Sequence, residues 1–290
     1  MGNGFVASGA VDQGAVNNGA VSTGPVRIVS LVPSLTELVC ELGLDRYLVG
    51  RTGFCIHPAA QLLKVPKLGG TKQVNEAELL ALRPTHLIVN KDENELPLVE
   101  RLKAHIPNIV VTHPIDVEDN FDLFRQFSAT FGDIAGVTEA AETLSQGLRE
   151  ALDANRKALP ELNEEVVLYL IWKKPWMSIA ANTYIASMLR TVAWQSYTAP
   201  KEARTALADV GASRYPSLTD EEVLGARVKR ILLSSEPYRF QARHAQTMQA
   251  ALPSNSSASV HVIDGEMCSW YGPRAIQGLK YLLHFRQSLQ

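Results

Sequence analysis

Cys55 and His57 stand two residues apart in the run Thr52-Gly53-Phe54-Cys55-Ile56-His57-Pro58. A thiol beside an imidazole can serve as nucleophile and base, and the same pair can supply two ligands to a metal ion. No third ligand follows at a metal-site spacing, so the sequence assigns the chain no metal site of its own. Asp92, Glu93 and Glu266 are carboxylates in loop-like segments and could move protons. The sequence carries no Gly-x-Ser-x-Gly elbow, no dinucleotide glycine fingerprint and no His-Glu-x-x-His. The turn Gly69-Gly70-Thr71-Lys72 lacks the spacing of a phosphate loop. These observations point away from catalysis, name no catalytic residue, and leave ligand binding as the reading.

The residues suited to binding fall in segments that follow strand-like runs. Pro33 and Ser34 follow the first such run; Phe54, His57 and Lys72 lie in the Gly- and Pro-rich stretch after the second; Asp92 follows the third. In the second half the same positions hold Trp172 and Trp176, then Tyr238 and Arg239, then Glu266, Trp270 and Tyr271. Three of the four tryptophans are in these loops. Aromatic faces with a few charges suit a large, partly apolar ligand with polar rim groups. Lys72 and Arg239 could pair with carboxylate or amide arms.

Parallel α/β units must position these loops. Val26–Val32 is a β-branched run, and Ser34 with Glu37 reads as the capping box of a helix closed by Gly43. The backbone N–H groups at that helix start can hold an anion or a polar edge. A long helix from Asp133 to Leu159 carries an apolar stripe at Val137, Ala141, Leu144, Leu148 and Leu152, with Asp133 as its cap and Pro160 as its stop. Asn75–Arg83 is echoed by Thr219–Arg227 at an offset of 144, each copy running cap, acidic turn, short helix, arginine, strand. The predicted fold is α/β: two Rossmann-like lobes joined by one long rigid α-helix, with a ligand cleft between the lobes. The boundaries are a disordered low-complexity tail over 1–25, an N-terminal lobe over 26–132, the spine helix over 133–160 and a C-terminal lobe over 161–290.

The chain has 290 residues, 46% hydrophobic and 20% charged, a composition typical of a soluble globular protein. A net charge of −2 gives no basic footprint for nucleic acid. Three widely spaced cysteines do not form a disulfide framework. Residues 1–25 repeat Gly-Ala-Val at Gly9, Gly14 and Gly19 and offer few large apolar side chains to bury. They lack a basic n-region and a continuous apolar core, so as written they are not a secretory signal.

The order of these segments resembles the class III, helical-backbone substrate-binding proteins, the cobalamin and iron-siderophore receptors of ABC importers. The residues that carry the resemblance are Arg27-Ile-Val-Ser-Leu-Val-Pro-Ser-Leu-Thr-Glu37, the Val65-Pro-Lys-Leu-Gly-Gly70 turn, Asn75–Pro84 with its following strand, the spine helix, and the helix from Trp270 to Arg286. The cobalamin-binding branch looks nearest. The resemblance implies a monomer without an intrinsic cofactor that takes cobalamin or another metal chelate as ligand. It also implies docking to an ABC permease through acidic residues matched here by Glu76 or Glu78 and by Glu221, and a periplasmic location. The missing signal, and the reactive groups in Thr52–Pro58 and Asp264–Arg274, fit instead a cytoplasmic enzyme or carrier acting on a corrinoid or chelate with the same scaffold.

Overall fold

The computed structural model describes residues 16–17, 25–198 and 213–290. The chain divides into two compact units: Met1–Pro114 with Glu118–Gly147 and Tyr271–Pro273, and Ile115–Val117 with Leu148–Trp270 and Arg274–Gln290.

The first unit is a five-stranded sheet in the order β1-β5-β4-β2-β3. Its strands are β1 (Val16–Asn17), β2 (Ile28–Ser30), β3 (Leu48–Arg51), β4 (His86–Asn90) and β5 (Asn108–Thr112). β2 to β5 are parallel, and β1 adds to the β5 edge antiparallel. Val16 and Asn17 fall inside the low-complexity repeat; an edge pairing needs only backbone groups, which such a sequence can supply. The other residues of that tail lie outside the described set. The helices are α1 (Pro33–Glu41), α2 (Ala59–Leu62), α3 (Glu76–Ala81), α4 (Leu96–Lys103) and α5 (Asp119–Phe131). Apolar residues of β2, β4 and β5 (Val29, Leu87, Val89, Ile109) and Leu31, just past β2, bury against Leu79, Val99 and Leu102 of the covering helices.

Two helix starts differ from the sequence reading. α1 is capped by Val32, with Pro33 at its first position and no side-chain capping bond, so Ser34 is not the cap and Glu37 is not its box partner. Proline's fixed φ suits the first helical position and moves the start one residue earlier. Gly43 does close α1, in the left-handed conformation at φ 71 with its N–H on Cys40 O. The long helix, α6, runs Val137–Ala158 and not from Asp133. Gly136 adopts φ 91, which no helix permits, so the chain turns there and Asp133 stays in the turn. At 22 residues α6 is about 33 Å long.

The second unit is a sheet in the order β11-β10-β6-β7-β9, with β8 also on β6. β6 (Glu165–Trp172), β8 (Trp194–Ser196), β10 (Arg230–Ser234) and β11 (Ser259–Ile263) are parallel; β7 (Trp176–Ser178) pairs antiparallel with both β6 and β9 (Ser217–Leu218). The helices are α7 (Tyr184–Arg190), α8 (Asp220–Leu224), α9 (Ala242–Ala251), α10 (Gly265–Ser269) and α11 (Pro273–Ser288). Trp176 therefore opens a strand rather than sitting in a loop, and α7 stops at Arg190, ahead of Trp194 in β8. The echoed segments share their local design. Asn75 accepts the Glu78 N–H at the start of α3, and Thr219 and Glu222 form a reciprocal capping box at the start of α8.

Candidate functional site

In the first unit β2 lies between β3 and β4, and the chain leaves β2 toward one side and β4 toward the other. The loops at their carboxyl ends diverge there, which is where open parallel sheets receive ligands. Pro33 and Ser34, on the first turn of α1, and Asp92, beyond β4, stand at this place; Ser34 is buried at 3% exposure. Phe54 follows β3 and is 63% exposed, although the Gly53 N–H is pinned to Gly69 O at 2.7 Å. Gly70 lies against its ring: a Cβ there would stand 3.3 Å from Phe54 Cε2. The turn carrying Lys72 thus flanks Phe54, and Lys72 itself is exposed. His57 is half-buried. Asp92 Oδ1 lies 3.3 Å from His113 Nε2.

Tyr271 belongs to this unit but is buried, and its hydroxyl donates to Glu93 Oε1 at 2.8 Å. The next residue donates its backbone N–H to Asn120 Oδ1 at 2.6 Å. Burial, then the Glu93 carboxylate, pushes the phenol far above its usual range. Tyr271 fastens the segment; it does not offer an open aromatic face.

Cys55 is fully buried, with Sγ 3.1 Å from Thr52 Oγ1, while its carbonyl accepts from Arg51 Nη1 at 2.8 Å. Burial raises the thiol pKa and holds it neutral. The nucleophile-and-base reading of Cys55 with His57 fails on this burial. Among the described residues no group of three or more His, Cys, Asp or Glu could hold a metal ion.

In the second unit the corresponding divergence is between β6 and β10. Trp172 ends β6 at 39% exposure and meets Tyr238 edge-on, centroids 5.6 Å apart at 80°. Tyr238 is fixed by its N–H on Ile171 O and packs on Phe240 at 4.5 Å; Phe240 in turn stacks on Trp176 at 6.2 Å. Arg239 is exposed between these rings in sequence. Beyond β10 and β11, Glu236 accepts from Trp270 Nε1 and Ser269 Oγ, both at 2.8 Å. Burial, with Glu266 and Asp264 near, raises the Glu236 carboxyl even against these hydrogen bonds. Arg274 lies 5.0 Å from the Trp270 ring and reaches Glu266 Oε2 at 3.1 Å. Trp270 is 8% exposed, so its indole is held edge-on by Glu236 and faced by Arg274.

The structure thus brings Phe54 to the Lys72 turn, and Trp172 to Tyr238. Trp176 joins Trp172 and Tyr238 only through Phe240, and it also lines a cavity in the second unit. Glu236, Arg274 and Phe240 escaped the sequence reading. The run Ser-Glu-Pro-Tyr-Arg-Phe directly after a strand was the available signal for Glu236 and Phe240.

A family model described as periplasmic binding protein matches residues 28–255. An uncharacterised ABC transporter substrate-binding lipoprotein, YvrC of Bacillus subtilis (strain 168), is 22% identical over 262 residues, covering 89% of this chain and 79% of that protein. The crystal structure of the periplasmic vitamin B12-binding protein BtuF of Vibrio cholerae aligns at a TM-score of 0.72 and 17% identity, covering 90% of this chain and 96% of that one. The periplasmic heme-binding protein RhuT of Roseiflexus sp. RS-1 aligns at 0.73 and 20% identity, covering 92% and 100%.

Proposed function

Since the chain belongs to the periplasmic binding protein family, we propose that it is the substrate-binding component of an ABC importer and that its ligand is a large planar metal chelate, a corrinoid in the first instance. The metal arrives inside the ligand, and the protein contributes binding without catalysis. The observation that carries this reading is the pair of exposed aromatics, Phe54 at 63% and Trp172 at 39%, each at the carboxyl end of its own unit's parallel sheet. Covering such rings gains roughly 1.5–3 kcal/mol each, which a broad apolar ligand face can collect. Relatives described as vitamin B12-binding support a corrinoid, and neighbours described as heme-binding make haem the second candidate.

Titration with cyanocobalamin, and separately with haemin, tests the reading through tryptophan fluorescence and visible absorbance. Saturable quenching by one of them is expected, with Phe54→Ala and Trp172→Ala each weakening it about tenfold. No saturable response to either chelate overturns the proposal.

Family membership favours delivery outside the cytoplasm over a cytoplasmic enzyme or carrier. Among the described residues no helix is long and apolar enough to cross a membrane; the importer reading supplies the permease as a separate partner. For docking to it, Glu78 and Glu221 fit better than Glu76. Both are exposed at helix starts, whereas Glu76 is gripped by Arg101 Nη2 and Nε at 2.6 and 3.1 Å, a hydrogen-bonded pairing that lowers its pKa. Glu78→Arg and Glu221→Arg should each cut chelate-stimulated ATPase of the permease in proteoliposomes by about tenfold or more while chelate affinity holds. Full stimulation in both variants would rule out this docking mode.

A further inference from the structure

The second unit holds an open cavity of about 440 Å³ lined in part by the Lys173-Lys174-Pro175 turn. Its apolar surface is supplied by Val223 and Leu224 of α8, Leu233 of β10 and Met248 of α9. That volume lies in the range of small-molecule sites, roughly 300–1,000 Å³. Trp176 forms one wall. It is stacked on Phe240 at an interplanar angle of 9°, and its indole N–H is committed to Asp220 Oδ1. The indole N–H edge is therefore committed, and Asp220 keeps its Oδ2 as an acceptor in the lining.

The rim is cationic. Lys173 Nζ stands 5.3 Å from the Trp176 ring centroid, and neither Lys173 nor Lys174 pairs with a carboxylate among the described residues. His244, also in the lining, accepts the Gln241 backbone N–H at Nδ1 (2.9 Å). In the neutral ring the proton then sits on Nε2, which becomes a free donor. Burial, followed by the charges of Arg243 and Lys173, lowers the His244 pKa, which favours the neutral ring. An apolar floor, a flat aromatic wall and three donors, Lys173, Lys174 and the His244 Nε2–H, set against the single carboxylate of Asp220, favour an acid with a flat body.

We propose that this cavity is a second ligand site that binds an aromatic carboxylate, the ring lying against Trp176 and the apolar floor and the carboxylate reaching Lys173, Lys174 and the His244 Nε2–H. It shares no residue with the Phe54 loop and does not include Trp172, although Tyr238, which meets Trp172, also packs on His244 at 5.9 Å.

The probe is 1-naphthoate, titrated by calorimetry into the full chain. Saturable sub-millimolar binding is expected. The Lys173→Gln/Lys174→Gln chain should bind about fivefold or more weakly, because two partly exposed charges are lost, and the neutral 1-naphthamide should be weakened similarly. Ala251→Trp, at an exposed position on the wall, should fill the space and abolish binding while the thermal midpoint stays unchanged. Trp172→Ala should leave naphthoate affinity within about twofold while it weakens the chelate. The proposal is overturned by no saturable binding, by amide binding as tight as the acid, or by binding that survives both the lysine exchange and Ala251→Trp. A chain that binds naphthoate but no chelate would overturn the transport reading alone.

Discussion

Arg286→Ala is expected to lower the free energy of unfolding of the second unit by about 3–5 kcal/mol, the range for removing one partner of a buried ion pair. The Arg286 side chain is 1% exposed. Its Nη2 donates to Asn163 O at 2.8 Å and lies 3.4 Å from Glu165 Oε1. Its guanidinium also lies 5.6 Å from the Trp194 ring. Glu165, at the first position of β6, is the hub: its Oε2 accepts from Arg230 Nε at 2.8 Å and from Trp194 Nε1 at 3.1 Å. Alanine removes the charge that faces Oε1 and the packing over Trp194, and it strands the Asn163 carbonyl.

The same network fixes a pH signature. Burial alone would raise the Glu165 carboxyl, but hydrogen bonds from Arg230 and Trp194 and the charges of Arg286 and Arg230 outweigh it and hold the pKa below its ordinary 4.5. A carboxyl lowered in the folded state contributes stability that is complete above the unfolded value and is lost as pH falls through the folded one. Wild-type stability should therefore fall on acidification below about pH 4.5, and the Arg286→Ala chain, with less lowering left to lose, should fall less steeply. Urea unfolding at several pH values measures both effects. Wild-type stability at neutral pH, or an unchanged acid slope, would show that the pair is not coupled to folding.

The elements that local chemistry determines were readable in the sequence. Strand β2 and the helix after it follow from a β-branched run meeting Pro33, and the caps Asn75 and Thr219, each followed by an acidic turn, announce α3 and α8. Errors arose where one residue type serves two purposes. Ser34 has the chemistry of a cap, but Pro33 took the first helical position. Gly136 reads as a weak helix residue, yet a left-handed φ makes it a boundary. Trp194–Ser196 is too short for any period to register, and it pairs with a strand some thirty residues earlier.

The candidate site was readable as a set of loops, while the packing of its side chains was not. Phe54 and Trp172 are exposed aromatics, as expected of a ligand face. Trp270 and Tyr271 looked the same in sequence, but their partners, Glu236 and Glu93, are 34 and 178 residues away. Those contacts bury the rings and make them supports. Arg286 resembled an ordinary cation at a helix end, because nothing local reveals that Glu165 waits beside it.

Gly278→Ala is expected to destabilise the protein by about 2–3 kcal/mol, the upper part of the range for forced overpacking, against the roughly 1 kcal/mol gain that helix propensity alone would give in mid-helix. Gly278 lies inside α11, where it crosses α10. A Cβ there would meet Met267 O at 2.1 Å and Met188 Cε at 3.0 Å. The methionine methyl can swing aside, but the carbonyl is backbone, so α10 must move as a whole. α10 leads directly into Trp270, whose indole N–H is held by Glu236. Its other end is equally tight: a Cβ at Gly265 would stand 2.4 Å from Ser234 Oγ and 2.8 Å from Glu236 N. A shift that relieves Gly278 therefore drives α10 across the carboxyl end of β10 and loosens the Trp270–Glu236 bond. Two readouts should change together: the denaturation midpoint falls, and the near-ultraviolet dichroism of the tryptophans is reduced. If the alanine chain is as stable as wild type or more so, α10 and α11 do not cross at this distance, and Trp270 owes its position to some other contact.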